Sequence, residues 1–372
     1  MESISIIGIG RLGLCTALSF AKAGYNVVGV DINKKYVDEI NRKVLDSREP
    51  HVSEYLNIVS TFRATTDIID AINVSDYLYI MVDTPTIGNN NYDTKNVELV
   101  LSTLNSYKIR NKHIIIGCTV LPGYIDGKAI TLLPDCHNVS LSYNPEFVKQ
   151  GSIIDDLKHA DMILIGEGCK EVGDFLEELY VKVCGNNSVI RRMSPASAEI
   201  CKLAINCFIT MKISYSNMIG DIADRTPNAN KYDILKAVGC DSRIGCKCLI
   251  PGYSYGGPCF PRDNRALGYY ANSIGINPLL PEATDQINNL HSEKQIQDYI
   301  NQGHNSYIIE DVAYKPNCPV PIIEESAKLK IAIGLVHHGK KVLIKDRNFI
   351  IEEVKQKYGD MFEYINIDTP DS

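Results

Sequence analysis

The sequence lacks the marks of a membrane, secreted or nucleic-acid-binding protein. No apolar run reaches the roughly 20 residues that a membrane-spanning helix needs. The N-terminus has neither the basic segment nor the small-residue cleavage site of a signal peptide, so a cytoplasmic protein is expected. The formal net charge of -7 argues against nucleic acid or an anionic membrane as the main partner.

The chain also lacks a metal-binding cysteine pattern. It has 12 cysteines but no C-x-x-C pair, and the closest grouping is Cys240, Cys246 and Cys248. A structural zinc site needs clustered ligands at regular spacing, so no metal is expected. In a cytoplasmic protein the cysteines are predicted to remain thiols.

A glycine-rich turn near the N-terminus predicts a dinucleotide-binding fold. An apolar strand, Ile4–Ile7, runs into Gly8-Ile9-Gly10-Arg11-Leu12-Gly13, and a helical pattern and a second strand follow. Glycines at these positions permit a tight turn and a close approach of pyrophosphate, while Asp31 after the second strand suits the ribose hydroxyls of NAD. The predicted cofactor is NAD. Its contacts here are Gly8, Gly10, Arg11, Leu12, Gly13 and Asp31.

Strands and helices continue to alternate along the first half of the chain. The further apolar runs are 77–82, 114–117, 139–143 and 162–165. This alternation predicts an α/β fold with a doubly wound, Rossmann-type parallel sheet. Ligands bind at the carboxyl ends of such strands, so Thr84, Thr119 and Glu146, which follow three of them, should line the cofactor cleft.

The middle of the chain is predicted to be a long helix from Ser194 to about Asp224. Lys202 and Asn206 are four residues apart and therefore share one of its faces. They are either the solvated edge of an apolar stripe or two donors aimed at a developing oxyanion. The spacing alone leaves both interpretations open.

The segment Tyr253–Asp263 places Cys259 in a loop built of glycine and proline. Glycines let the backbone approach a ligand, and Arg262 supplies positive charge that favours a reactive thiolate. The alternative is a tight turn with a small buried thiol.

After Pro281 a helix and a β-α-β pattern predict a second, smaller α/β unit.

Taken in order, these segments resemble the UDP-glucose/GDP-mannose dehydrogenase family, and most closely its shorter UDP-glucose 6-dehydrogenases. The matching segments are 8–13, 83–86, 118–123, 144–147, Glu199–Lys202 with Asn206, 243–245 and 256–263. The resemblance implies three parts. The first is an NAD-binding Rossmann domain (1–190), and the last is a C-terminal α/β domain that binds the UDP-sugar (291–372). Between them lies a central helical region (191–290) that forms the homodimer and carries the catalytic cysteine.

The resemblance also implies a reaction. Enzymes of this family oxidise the C6 alcohol of a nucleotide sugar to an acid by two hydride transfers to NAD, here UDP-glucose to UDP-glucuronate. Cys259 would form a thiohemiacetal and then a thioester, while Lys202 and Asn206 would stabilise the oxyanion. Glu146 and a water held by Asp263 are two candidates for the general base, with Thr119 positioning that water.

Further contacts follow from the resemblance. Arg262 and Thr84 are expected at the cofactor, and Arg243 is expected to reach the sugar site of the partner subunit. The full set of expected substrate contacts is Glu146, Phe147, Lys202, Asn206, Arg243, Tyr253, Tyr255, Gly256, Gly257 and Lys315.

Several residues depart from the family pattern and leave the substrate open. Arg262 replaces a lysine, Gln150 a glutamate, and Asp161 and Glu324 each an arginine, while Leu249 and Ile250 replace asparagines. One alternative is the same chemistry on GDP-mannose or a UDP-N-acetylhexosamine. Another is a catalytically weak, nucleotide-binding regulatory dimer. A two-electron hydroxyacid dehydrogenase would share the general plan but would leave Cys259 without a role.

Overall fold

The computed structural model describes residues 2–88, 90–185 and 188–368. The chain divides into two units, Met1–Lys202 and Leu203–Ser372. The boundary lies within a single long helix, and the second unit holds both the central helices and the C-terminal α/β region. The three-domain division at residues 190 and 290 therefore stays a prediction.

The first unit contains ten strands, seven complete α-helices and one π-helix (Ile125–Ala129) among its described residues. The strands are β1 (Ser3–Ile7), β2 (Asn26–Val30), β3 (Phe62–Thr65), β4 (Tyr77–Ile80), β5 (Thr86–Ile87), β6 (Asn91–Tyr92), β7 (Arg110–Ile116), β8 (His137–Tyr143), β9 (Met162–Gly166) and β10 (Val189–Met193). The helices are α1 (Arg11–Lys22), α2 (Lys34–Asn41), α3 (Val52–Ile58), α4 (Ile68–Val74), α5 (Lys95–Ser106), α6 (Ile153–Lys158) and α7 (Lys170–Val183).

Eight of these strands form one sheet, in the order β10-β9-β8-β7-β4-β1-β2-β3. The chain builds β1, β2 and β3 in one direction and then returns to β4 on the other side of β1, which makes β1 and β4 the switch point of a doubly wound sheet. Both faces are covered, because Ile4 and Ile6 pack into one apolar core and Ile7, Leu78 and Ile80 into the other. The predicted Rossmann-type fold is confirmed.

Two strands of this sheet, β9 and β10, run opposite to the other six, whereas β9 was predicted to be parallel to them. β9 meets the end of β8 in an antiparallel bridge between Tyr143 and Gly166, and β10 runs parallel to β9. The connection between them, residues 144–161, contains α6. The chain re-enters the sheet near the end of β8 at which it left.

The second unit begins within the 30-residue helix α8 (Pro195–Asp224), which confirms the predicted long helix. Its other helices are α9 (Lys231–Cys240), α10 (Phe260–Ser273), α11 (Leu279–Asn301), α12 (Ala327–His337) and α13 (Asn348–Tyr358). The strands β11 (Ser306–Glu310), β12 (Lys341–Asp346) and β13 (Glu363–Asn366) form a parallel sheet in that order. The predicted smaller β-α-β unit is present, with one further strand.

Helix α10 is an element that the sequence pattern did not indicate. The loop was predicted to run to Asp263, but in the structure it ends at Cys259, which is the N-cap residue of α10. Pro261 lies in the first helical turn. Proline is tolerated there because the first amide groups of a helix have no intrahelical partner. Along residues 2–88, 90–185 and 188–368, no helix combines the length and apolarity needed to span a membrane.

Candidate active site

The turn between β1 and α1 has the geometry that a dinucleotide requires. Gly8 has φ +93°, and its amide donates to the carbonyl of Val30 at 2.8 Å. A Cβ at Gly13 would lie 2.0 Å from the carbonyl oxygen of Gly8, so helix and strand pack directly against each other. At Gly10, by contrast, the side-chain position is open, with no protein atom within 4 Å. These residues fit a pyrophosphate at the N-terminus of α1.

A buried carboxylate holds a second loop near this turn. Glu49 accepts hydrogen bonds from the backbone amides of Gly151 (2.8 Å) and Ile153 (2.9 Å). Next to these residues, Gln150 accepts a hydrogen bond from Arg11 Nη1 at 2.5 Å. Arg11 is thus held at the first turn of α1 by a neutral partner.

Two of the predicted strand-end residues lie together. The buried Thr84 hydroxyl donates to the carbonyl oxygen of Thr119 at 2.9 Å. The turn after Thr119 is held by Glu199 on α8, whose carboxylate accepts from the amides of Gly123 (2.5 Å) and Ile125 (2.9 Å). The segment that carries Thr119 is therefore fixed to the long helix.

Glu146, the third strand-end residue, belongs to a buried polar cluster. Its Oε1 lies 2.8 Å from the hydroxyl of Tyr180 on α7. The same hydroxyl lies 2.8 Å from Asn144 Oδ1, to which Tyr79 also donates at 3.0 Å. Burial raises the pKa of Glu146 to about 7, although the Tyr180 hydrogen bond and the charge of Lys202 lower it. A carboxyl group with this pKa is suited to proton transfer near neutral pH.

Lys202 lies beside Glu146. Its ammonium group donates to the backbone carbonyl of Glu146 at 2.5 Å and lies 4.4 Å from the centre of the Phe147 ring. The side chain is buried. These contacts exclude the interpretation of Lys202 as the solvated edge of an apolar stripe.

In the second unit, Asp263 connects three of the predicted residues. The Asn206 side-chain amide donates to Asp263 Oδ2 at 2.6 Å, and Arg262 Nε donates to Oδ1 at 3.1 Å. Asp263 is fully buried, and its backbone amide donates to the carbonyl of Cys259 at 2.8 Å. The exposed Cys259 is therefore one helical turn from a carboxylate that orients Asn206.

The loop before Cys259 is fixed by backbone contacts within the same unit. The amide and carbonyl of Tyr255 form a pair of hydrogen bonds with the side chain of Asn288, at 2.8 and 3.0 Å. Gly256 packs so closely on the backbone of Glu325 that a Cβ would lie 2.0 Å from its carbonyl oxygen. Gly257, with φ +81°, lies against the Tyr314 ring. The shape of the loop thus depends on glycine at both positions.

The other predicted substrate contacts differ in their burial. Tyr255 is buried, with its hydroxyl 3.2 Å from Asp285, whereas Tyr253 is exposed. Arg243 is 86% exposed in its side chain and pairs with Asp241 at 2.7 Å. The Lys315 ammonium lies 5.7 Å from the centre of the Tyr314 ring. Their roles toward a substrate stay predictions, as does the role of Asp31, just after β2, toward the ribose of NAD.

The sequence pattern alone indicates no chemical role for Glu49, Asn144, Tyr180, Glu199 and Asn288. Tyr180 occupies a core position of an amphipathic helix, so its pattern is that of a packing residue. Glu199 and Asn144 lie in segments that match the family but carry no local chemical signature. Within the described part of the chain, no group of three or more His, Cys, Asp or Glu side chains is placed to hold a metal ion.

Two family models match the chain. The NAD-binding domain of the UDP-glucose/GDP-mannose dehydrogenase family matches residues 2–184, and the central domain of that family matches residues 196–290. The chain is 32% identical over 306 residues to the GDP-mannose 6-dehydrogenase of Pseudomonas syringae pv. tomato, which covers 77% of this chain and 69% of that protein.

Other similar proteins have a different substrate in their names. The UDP-glucose 6-dehydrogenase TuaD of Bacillus subtilis is 32% identical over 298 residues, covering 77% of this chain and 63% of that protein. A UDP-glucose dehydrogenase structure from Pyrobaculum islandicum has a TM-score of 0.90 at 27% identity and covers 99% of this chain and 87% of that one.

Proposed function

Because the chain belongs to the UDP-glucose/GDP-mannose dehydrogenase family, we propose that it oxidises the C6 alcohol of UDP-glucose to the carboxylate of UDP-glucuronate. The family relationship and the NAD cofactor predicted from sequence are confirmed. When bound, NAD accepts the hydride in each of the two oxidations. The proposed location of the enzyme is the cytoplasm, where its thiols stay reduced.

Cys259 is the proposed nucleophile. Its thiolate adds to C6 of the aldehyde formed by the first oxidation, and the second oxidation converts the thiohemiacetal to a thioester, which water hydrolyses to the acid and the free thiol. The position at the N-terminus of α10 supports this role, since the partial positive charge of a helix N-terminus stabilises a thiolate. The covalent bond also retains the aldehyde between the two oxidations.

Lys202 and Asn206 are the proposed oxyanion donors. They lie one turn apart on α8, and each is held by a neighbour: Lys202 by the carbonyl of Glu146, and Asn206 by the carboxylate of Asp263. Donors that are oriented before the reaction need no reorganisation as charge develops at the C6 oxygen. Loss of one such donor typically lowers the rate by about 10²–10³.

Glu146 is the proposed acid/base group. Its pKa of about 7 lets it take up and release a proton near neutral pH. Asp263 has a direct contact with Asn206, which supports an orienting role for its carboxylate. The alternative base is a water held by Asp263. The pH dependence of activity in Glu146→Gln distinguishes the two candidates.

The observation that carries the proposal is the connection of Cys259, Asp263 and Asn206 through one carboxylate and one helical turn. A two-electron alcohol dehydrogenase has no use for an exposed cysteine held in this way. The test is the number of NADH molecules formed per sugar with UDP-glucose, GDP-mannose and UDP-N-acetylmannosamine. We expect two per UDP-glucose, and none of the acid product from Cys259→Ala.

Each other outcome selects another function. Two NADH per GDP-mannose or per UDP-N-acetylmannosamine, and none with UDP-glucose, would keep the chemistry and change the substrate. One NADH per substrate would exclude the thioester route. NAD binding without turnover of any of these sugars would favour a regulatory nucleotide-binding dimer.

A homodimer is the proposed assembly. Along α8, apolar residues recur at alternating spacings of three and four, and side chains of this stripe are exposed, among them Phe208 (58%), Tyr215 (42%) and Ile222 (55%). The stripe is Cys201, Ala204, Phe208, Met211, Tyr215, Met218 and Ile222. Such a strict repeat suits pairing with a second copy of the helix. Light scattering is expected to give a dimer mass that Phe208→Lys reduces to a monomer mass.

A further inference from the structure

The hydroxyl of Tyr180 makes two short contacts but has only one proton. Its oxygen lies 2.8 Å from Asn144 Oδ1 and 2.8 Å from Glu146 Oε1. Tyr180 is fully buried, and Asn144 is buried beside it. Two oxygen atoms in such contact need a proton between them, because otherwise their lone pairs repel.

The orientation of Asn144 is fixed by its other contact. Its side-chain amide nitrogen donates to the carbonyl oxygen of Leu164 at 2.9 Å, so its Oδ1 faces the tyrosines. Exchanging the nitrogen and the oxygen would place two acceptors against each other at Leu164. Oδ1 can therefore only accept, and Tyr79 supplies one hydrogen bond to it at 3.0 Å.

The cluster thus has three oxygen–oxygen contacts and only two tyrosine protons. The Tyr79 proton lies in the contact with Asn144, and the single Tyr180 proton can lie in only one of the two contacts that Tyr180 makes. All three are filled only when Glu146 carries a proton and donates it to Tyr180. We infer that Tyr180 is a positioning residue that turns its hydroxyl proton from Asn144 to Glu146 whenever Glu146 ionises.

The two protonation states therefore have two hydrogen-bond patterns. With neutral Glu146, the carboxyl donates to Tyr180 and Tyr180 donates to Asn144. When Glu146 releases its proton to water or to a reacting group, Tyr180 donates to the carboxylate and Asn144 keeps only Tyr79. The cluster returns to its first pattern when Glu146 is protonated again.

Other ionisable groups face Glu146 from the elements packed around it. Lys202 on α8 contributes a positive charge, while Tyr79 on β4 and Cys184 at the end of α7 are neutral at ordinary pH. Lys202 and the Tyr180 hydrogen bond favour the ionised form, and burial opposes it. Removal of the Tyr180 hydroxyl therefore destabilises ionised Glu146 more than neutral Glu146.

The role of Glu146 in turnover rests on the proposed function, and the kinetic test uses it. The acid limb of the kcat/KM profile should move upward by about one pH unit in Tyr180→Phe, since the carboxylate loses its hydrogen-bond donor. Tyr79→Phe is the matched control, because it removes a buried hydroxyl that donates to Asn144 rather than to Glu146, so its shift should be smaller. An equal shift in both variants, or no shift in Tyr180→Phe, would overturn the inference.

A second measurement needs no substrate. Infrared difference spectra of wild type minus Glu146→Gln should contain the band of a protonated carboxyl group at about pH 6. This band should titrate at higher pH in Tyr180→Phe than in Tyr79→Phe. Ionised Glu146 at about pH 6 in the wild type would contradict the proton count, even if Tyr180→Phe failed to fold. The spectra remain decisive if the enzyme acts on none of the tested sugars.

Discussion

Gly256→Ala provides a quantitative test of how the cysteine loop is held. The added Cβ would lie 2.0 Å from the carbonyl oxygen of Glu325, whereas such contacts are essentially never shorter than 3.0 Å. The obstacle is backbone, which no side-chain rotation can relieve, so one segment must move by about 1 Å. Overpacking of this kind costs typically 1–3 kcal/mol, and a backbone obstacle places Gly256→Ala near about 3 kcal/mol.

The expected effects are large enough to measure separately. For a unit of this size, about 3 kcal/mol corresponds to a fall in Tm of roughly 6–12 °C. A displacement of about 1 Å also moves the nearby Cys259, and such misplacement lowers kcat by about 100-fold. Thermal unfolding followed by circular dichroism gives the first quantity, and steady-state NADH formation gives the second.

Gly252→Ala is the matched control. It makes the same substitution four residues earlier in the loop, at a position where a Cβ meets no atom within 4 Å. We expect its Tm and kcat to stay close to the wild-type values. If Gly256→Ala and Gly252→Ala lowered Tm equally, or if Gly256→Ala left both quantities unchanged, the loop would not be held by contact with Glu325.

Two other substitutions test the cofactor turn and the oxyanion donor. Gly13→Ala would place a Cβ 2.0 Å from the carbonyl of Gly8, so NAD binding measured by calorimetry should weaken by at least about 10-fold, and unchanged affinity would refute the packing argument. Asp263→Asn removes the charge that orients Asn206, so kcat should fall by about 10²–10³ with little change in KM, whereas a rise in KM alone would assign Asp263 to substrate binding.

The sequence was most informative where one residue type alone satisfies the geometry. Gly8 and Gly13 are required by a positive φ and by direct strand–helix packing, so their spacing, together with the flanking strand, the helix and Asp31, predicted the cofactor turn. The long helix was equally clear, because an apolar repeat over about 30 residues has few alternatives.

The sequence was least informative where contacts join residues far apart in the chain. The direction of β9 depends on where the chain re-enters the sheet after residues 144–161, which periodicity does not contain. The start of α10 was not predicted, because the glycines and prolines around it are typical of a loop. Tyr180 has the pattern of a core residue, and only its position beside Glu146 reveals a polar role.

One departure from the family pattern, Gln150, has a structural explanation. Gln150 replaces a glutamate, and its side chain accepts a hydrogen bond from Arg11 at the first turn of α1. A glutamate there would neutralise the guanidinium, whereas glutamine holds it and leaves its charge directed toward the proposed pyrophosphate position. Asp161 and Glu324 are exposed, in contrast to the buried Asp263. We therefore infer that these substitutions alter how the ligands are held and leave the oxidation chemistry intact.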